Sequence, residues 1–482
     1  MKKIIAFFLI FLVFASCKKL EDLNKNMKDP TTVSGESLFT NAQKRLVDFI
    51  VDCNVNRNIY RLVAQQWTET TYIDESNYDL VTRTIMDNQW NIMYRDVLQD
   101  FKRAYQVIEG TTYLPSESPN QKLNRLAVVE LMQVYAFSVC VETWGDIPYT
   151  EALNPDIVLP KYDDGLTVYK DLITRLDAAI VQLSAEPGAG SLGGADNIYS
   201  GDVNLWLKFA NSLKLHMALV LADVDPAYAQ PLAEAAAPGV MKSNADNARL
   251  PYMDAQPNNN PINENVVLSG RNDFVAANTI VDVMNTLNDP RRQFYFTPVG
   301  EEYIGGVYGA SNDYTAFSHI GDKLLPGTFE GTILDYSQTE FLLAIASARG
   351  WNVGGTVEDH YNYGIGASII YWGGTVDDIV AYLTQPDVSY QTAQGDWKQK
   401  IGTQFWLALY NRGFEAWTQW RLLDYPQLVA PPDAETDNGL PPLRYPFPIA
   451  EQTLNATSYN NAAALLLPEG DVMEKKLFWD KN

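Results

Sequence analysis

The sequence runs to 482 residues, 46% of them hydrophobic and 20% charged, with a formal charge of −23 at pH 7. That length is ample for a large apolar core. The acidic excess repels phosphate backbones and anionic lipid, so nucleic acid is disfavoured as a partner.

The chain opens on Met1-Lys2-Lys3, an apolar run from Ile4 to Phe14, and Ala15-Ser16-Cys17. A positive start, a short greasy stretch and small residues before a cleavage point read as a secretory signal. The apolar run is far short of the roughly 20 residues that a spanning helix needs. Cys17 directly after Ala-Ser reads as a lipoprotein signal, in which the thiol is acylated and becomes the new N-terminus. Phe14 stands where such signals usually carry an aliphatic residue, and a plain signal peptide with an incidental cysteine is the alternative. Residues 1–16 are thus expected to be removed. Residues 17–36, polar and carrying Asn24, Asn26, Pro30 and Gly35, read as a lipidated tether. More than one acyl chain would hold the protein stably on a membrane. No second long apolar segment stands out, so the body is expected to be soluble.

From Ser37 the pattern is helical, with periodic runs over about 37–66, 86–109, 119–143, 166–184 and 202–222. Leu123, Leu126, Ala127, Leu131, Val134, Phe137 and Val141 recur at spacings of three and four, as do Trp206, Phe209, Ala210, Leu213, Met217 and Val220. Such stripes predict amphipathic helices facing a core. Residues 240–330 change character, with Pro251, Pro257, Pro261 and Pro298, many Asn, Gly and Tyr, and one helix near 274–288. Loops of that length are uncommon and often functional. Helices resume near 335–349, 356–371, 375–384 and 394–423, and the tail from Tyr425 reads as loop. The early helices fit stacked helix–turn–helix pairs of a tetratricopeptide-like array, whose period is about 34 residues. The expected fold is therefore mainly α, a tetratricopeptide-like array carrying a loop-rich ligand-binding region. Cys53 and Cys140 lie in helical surroundings and read as buried free thiols, with a disulfide between them the alternative.

Several segments resemble, in order, the SusD/RagB outer-membrane nutrient-binding lipoproteins of Bacteroidetes. They are Thr143-Trp144-Gly145-Asp146-Ile147-Pro148-Tyr149, Pro160 to Asp164 with Val168-Tyr169-Lys170-Asp171-Leu172, and Asp196 to Leu215. Asp289-Pro290-Arg291-Arg292, Phe341-Leu342-Leu343-Ala344, Glu415-Ala416-Trp417 with Arg421, and Arg444-Tyr445-Pro446 follow. The sequence departs from the family at Gln338, Ile345, His216 and Leu422, all on expected helices, where repacked contacts are anticipated. The resemblance implies a single SusD-like domain over 37–482, with scaffold at 37–222 and 335–424 and the loop-rich region at 240–330. It implies a lipid-anchored, outward-facing outer-membrane protein that binds oligosaccharides and passes them to a SusC-like TonB-dependent transporter. It also implies no catalysis and no cofactor beyond an occasional structural calcium. A peptide-binding member of the same scaffold and an exported glycosidase are the alternatives. The acidic surface would steer the first of these toward basic peptides.

Sugar binding needs flat apolar faces beside hydrogen-bonding groups, and the sequence supplies 11 Trp and 27 Tyr. Those on apolar helix faces, such as Trp206 and Trp417, read as core. Loop residues are the candidates: Trp67, Tyr72, Asp74, Asn77, Tyr78 and Arg83, in a polar stretch ending near Trp90. A second cluster is Tyr303, Tyr308, Asn312, Tyr314 and Phe317, set among Gly305, Gly306 and Gly309. For both clusters, rings packing back onto the helices is the competing reading. Trp351 and Trp372, beside glycines, are weaker candidates.

Signals for catalysis are thin. Gly188-Ala189-Gly190-Ser191-Leu192-Gly193 matches G-x-G-x-x-G, but it follows an expected helix, where a dinucleotide site needs a strand. His216, His319 and His360 are far apart and show no metal-ligand spacing. Asp163, Asp164 and Asp196 could meet calcium, but no EF-hand-like loop is present.

Overall fold

The computed structural model describes residues 33–114 and 116–481. The signal peptide 1–16, the lipidation site Cys17 and nearly all of the tether lie outside the described residues. Helix α1, Gly35–Val51, begins two residues before the expected helix start at Ser37, because Ser34 accepts the Ser37 amide as an N-cap.

The expected run 37–66 breaks after α1 and restarts as α2, Tyr60–Val63. Asn58 Nδ2 donates to the Phe49 and Ile50 carbonyls, and Arg61 donates to those of Val51 and Asp52. These side chains satisfy the terminal acceptors of α1, so the chain can turn there. Strand β1, Trp67–Glu69, follows. Helix α3, Ile85–Asn91, runs through a π-helical segment, Ile92–Leu98, into α4, Gln99–Gly110. Next come α5 (Pro119–Trp144), β2 (Ile147–Pro148), β3 (Tyr162–Asp163), α6 (Gly165–Ala185) and α7 (Val203–Val220). Helix α8, Pro226–Ala236, was not foreseen; Asp225 caps it just ahead of Pro226 at the first helical position.

The loop-rich middle holds β4 (Ala248–Leu250), a π-helical segment (Asn263–Leu268), β5 (Phe274–Ala276), α9 (Asn278–Thr286), α10 (Arg292–Tyr295) and β6 (Gly331–Leu334). Then come α11 (Tyr336–Ala348), α12 (Val357–Trp372), α13 (Val376–Leu383), α14 (Trp397–Ala408) and α15 (Gly413–Leu423). The expected run 394–423 splits at Asn411, whose φ is +67°. Gly413 restarts the helix where a Cβ would lie 2.4 Å from the Arg61 amide nitrogen. The tail also departs from expectation, forming α16 (Ile449–Leu454) and α17 (Ala456–Ala464).

Neighbouring helices pack side by side along the chain, α4 on α5, α5 on α6, α6 on α7, α7 on α8 and α11 on α12. This is the expected tetratricopeptide-like arrangement. The two helical blocks meet where α11 packs on α7 and α15 packs on α2. Helix α5 has the length and hydropathy of a membrane span, but it is buried inside the fold as a core helix. The middle is stitched on by antiparallel ribbons: β4 pairs with β6, which lies on α1, and β1 pairs with β5.

The segments that resemble the SusD/RagB family are structural. Gly145 ends α5 at φ +86°, Asp146 accepts the Gly165 amide at 2.8 Å, and Ile147–Pro148 pairs with β3. Asp289 and Arg291 form a fully buried ion pair at 2.5 Å. The Arg421 guanidinium lies 3.4 Å above the Trp417 ring. Trp206 is buried and donates from Nε1 to Asp196 at 2.7 Å.

Candidate ligand-binding surface

The β1–β5 ribbon brings the two candidate loops together. Thr70 continues the ladder by donating to the Asp273 carbonyl, and Asn312 donates its amide to the Thr70 carbonyl at 3.0 Å. On the other side of β5, Gly306 donates to the Ala276 carbonyl and Ala276 to that of Ser318. Residues 70–84 and 303–318 therefore form one lobe.

Six of the expected ligand residues are the internal struts of this region. Trp67 is 1% exposed, donates to the Tyr410 hydroxyl at 3.0 Å and carries Arg61 against its ring. Tyr78 is fully buried beside Tyr308, with ring centroids 6.3 Å apart, and accepts from Gln65. The Tyr308 hydroxyl donates to the Leu62 carbonyl at 2.6 Å. Asn77 donates to the Ile73 and Gly309 carbonyls, and Asn312 to those of Glu69, Val307 and Ala310. Trp90 packs edge-on to Trp144 and against Tyr94. The physical reason is common to the loop residues. Closely folded loops leave many backbone carbonyls out of reach of water, and neighbouring side chains must satisfy them. Trp351 and Trp372 are buried as well.

Tyr72 and Asp74 are exposed, and Arg83, Tyr303, Tyr314 and Phe317 are half-buried. Tyr72 is 68% exposed and held at φ +56°, an uncommon backbone state outside glycine that fixes its direction. It borders a cleft of about 110 Å³ together with Arg83, Asn54, Asn56, Asn265, Ser269, Arg271 and Asp273. Tyr303 lines a different cleft of about 600 Å³, where Arg292 lies 4.8 Å over its ring beside Asn288 and Gln385. Tyr314 lies face to face with His319 at 3.8 Å. The surface residues thus divide among separate positions. The amides and Arg271 of the Tyr72 cleft were not foreseen; Asn54-Val55-Asn56 interrupts an expected helix, and that break was the available signal.

Beneath Tyr72, Glu69 accepts from the Ser76 amide and hydroxyl, both at 2.8 Å, and the Glu75 carboxyl contacts Arg83. Burial, reinforced by the neighbouring Glu75 charge, pushes the Glu69 carboxyl up to about 9. Burial raises the Glu75 carboxyl too, while Glu69 and Arg83 oppose that shift, so Arg83 faces the cleft with two buried acids behind it.

The carboxylates considered for calcium are engaged by protein donors. Asp196 accepts from Gln43, Trp206 and the Ile198, Tyr199 and Gly201 amides. Asp163 accepts from Thr150, and Asp164 caps α6 through Thr167. Among the described residues no group of three His, Cys, Asp or Glu is placed to hold a metal ion. The glycine-rich segment 188–193 runs from one short 3-10 turn, Pro187–Ala189, to the start of a second, Gly193–Ala195, after α6. Cys53 and Cys140 are both buried and unbonded.

A family of SusD-like proteins, described as starch-binding and associating with the outer membrane, matches residues 25–448. The chain belongs to the SusD-like family. A chitin-binding protein of known structure is 27% identical over 93% of this chain and 100% of its own, with a TM-score of 0.79. A SusD homologue from Bacteroides uniformis is 25% identical over 92% and 99%, with a TM-score of 0.78. A chitin-binding SusD homologue from Flavobacterium johnsoniae, 23% identical over 92% and 98% with a TM-score of 0.78, shares the fold. No curated protein matches the sequence. Two of the departures from the SusD-like pattern make polar contacts. His216 pairs with Glu142 at 3.1 Å, and Gln338 accepts from Arg412 at 2.6 Å.

Proposed function

We propose that this SusD-like protein is anchored to the outer membrane through lipidated Cys17, binds an oligosaccharide outside the cell, and passes it to a SusC-like TonB-dependent barrel. The observation that carries the binding step is the exposed Tyr72 ring beside a cleft of carboxamides, paired charges and a serine. A ring face suits the C–H face of a pyranose, and amides and paired charges both donate to and accept from its hydroxyls. The similarity to chitin-binding proteins and the family's starch-binding description make chito- and malto-oligosaccharides the first ligands to try.

Calorimetry of the mature chain carrying Cys17→Ser, against both series, tests the reading, with chromatography of the same mixtures. Binding is expected without release of shorter products, and Tyr72→Ala should weaken it at least about tenfold. Products in the mixture would make the protein a glycosidase. Capture of basic peptides instead, weakening as salt is raised, would make it a peptide receptor. Metabolic labelling with a fatty acid, lost in Cys17→Ser, tests the anchor.

A further inference from the structure

The Tyr72 cleft has a neighbour. A second cleft of about 320 Å³ lies between the end of α1 and the rod from α3 to α4, and Asn56 lines both. The ridge between them is the turn after α1. Asn88, in the second cleft, donates to the Asn56 carbonyl at 2.8 Å. Asp52, also in the second, accepts from Asn265 of the first at 3.1 Å. The two depressions are joined through one bonded turn.

Among the described residues, both π-helical segments stand on this line. Ile92–Leu98 supplies Ile92, Arg95 and Asp96 to the second cleft, and Asn263–Leu268 supplies Asn265 to the first. π-helical turns are rare and are found frequently at functional sites. Two of them flanking one groove is an observation independent of the cleft shapes.

We infer that the cleft beside Tyr72 continues across Asn56 into a second subsite, built on Asn88, Asn91 and Arg95, that holds further units of an extended neutral oligosaccharide. This inference rests on the oligosaccharide reading above. The chemistry of the second cleft selects the class. Arg57 stands 3.6 Å from Asp52, and Arg95 grips Asp96 at 2.6 Å, so these arginines come with their own counter-charges. Paired charges and the Asn56, Asn88 and Asn91 carboxamides offer donors and acceptors together, which suits hydroxyl and acetamido groups. An anionic chain would have to compete with Asp52 and Asp96 for their partners.

The test is calorimetry of the mature chain with di- and hexasaccharides of the chito and malto series, plus a hexauronate. It uses the wild type, Tyr72→Ala and the doubly substituted Asn91→Ala/Arg95→Ala protein. Asn91 and Arg95 are exposed, so the double variant should keep its unfolding midpoint. The expected result is a hexasaccharide about tenfold tighter than its disaccharide, a gain that the double variant abolishes while leaving disaccharide affinity unchanged. Tyr72→Ala should weaken both lengths. A hexasaccharide that binds the double variant as tightly as the wild type overturns the second subsite and leaves the Tyr72 site standing. Loss in the double variant with Tyr72→Ala unaffected overturns the continuous groove. Preference for the hexauronate overturns the neutral class. Silence across the whole panel overturns both this inference and the reading beneath it.

Discussion

The Asn77 carboxamide donates to the Gly309 carbonyl at 2.8 Å, joining two loops 232 positions apart. The bond is buried, so its loss leaves a carbonyl with no water to replace the donor. Asn77→Ala should therefore cost about 1–3 kcal/mol in urea unfolding. Gly309→Ala should cost more. Its φ is +75°, and a Cβ would lie 2.3 Å from the Pro431 ring, so strain adds to collision. An unchanged midpoint in both would mean that the loops are not joined there.

Tyr72 and Tyr78, six positions apart, separate binding from folding. Tyr72 is 68% exposed, and Tyr78 is fully buried against Tyr308. Tyr72→Ala should weaken oligosaccharide binding and leave the unfolding midpoint within about 0.5 kcal/mol of wild type. Tyr78→Ala should instead destabilise by about 3–5 kcal/mol, as large aromatic truncations in a core do. Trp67→Ala should behave like Tyr78→Ala, since the indole is 1% exposed and bonded to Tyr410. Comparing both quantities for the three variants checks the assignment. A binding defect in Tyr78→Ala at full stability would contradict it.

This contrast shows what the sequence could carry. The helical periods of Leu123 to Val141 and of Trp206 to Val220 became α5 and α7 nearly as drawn, because apolar spacing is a local signal. The helix break at Asn411 is set by partners far along the chain. Arg61 bonds to Asn411, and Gly413 sits against the Tyr60–Arg61 backbone. No local pattern records those contacts. The two candidate loops lie together as one lobe. Loop composition still could not separate Tyr72, facing out, from Tyr78, facing in. That choice depends on the β1–β5 pairing, which fixes where each loop turns. The amides of the Tyr72 cleft come from two distant segments, so no single stretch announced them.

The cysteines give a prediction independent of ligand. Cys53 and Cys140 are buried and unbonded, and burial pushes the Cys53 thiol up to about 12 and the Cys140 thiol higher still. The thiolate is the reactive form, so neither should react at pH 8. In the Cys17→Ser protein, a thiol reagent should label nothing under native conditions and two thiols in denaturant. Labelling of fewer than two in non-reducing denaturant would reveal a disulfide.

Glu69 should leave a mark on the pH dependence of stability. Its carboxyl is held at about 9 in the fold, first by burial and then by the Glu75 charge, against an ordinary value near 4.5. Between those values the folded protein binds a proton that the unfolded chain releases. Stability from this group is therefore full below about 4.5, declines as pH rises, and is exhausted above about 9. Glu69→Gln keeps a neutral side chain of the same shape, and its carbonyl oxygen can still accept from Ser76. The variant should lose that part of the slope, gaining on the wild type steadily from pH 5 to pH 9. Urea midpoints at pH 5, 7 and 9 measure the gain, and parallel curves for the two proteins would show that Glu69 is ionised in the fold. Glu75→Gln provides the contrast. It removes the carboxyl group that contacts Arg83 and frees the guanidinium at the cleft edge, so it should alter ligand binding.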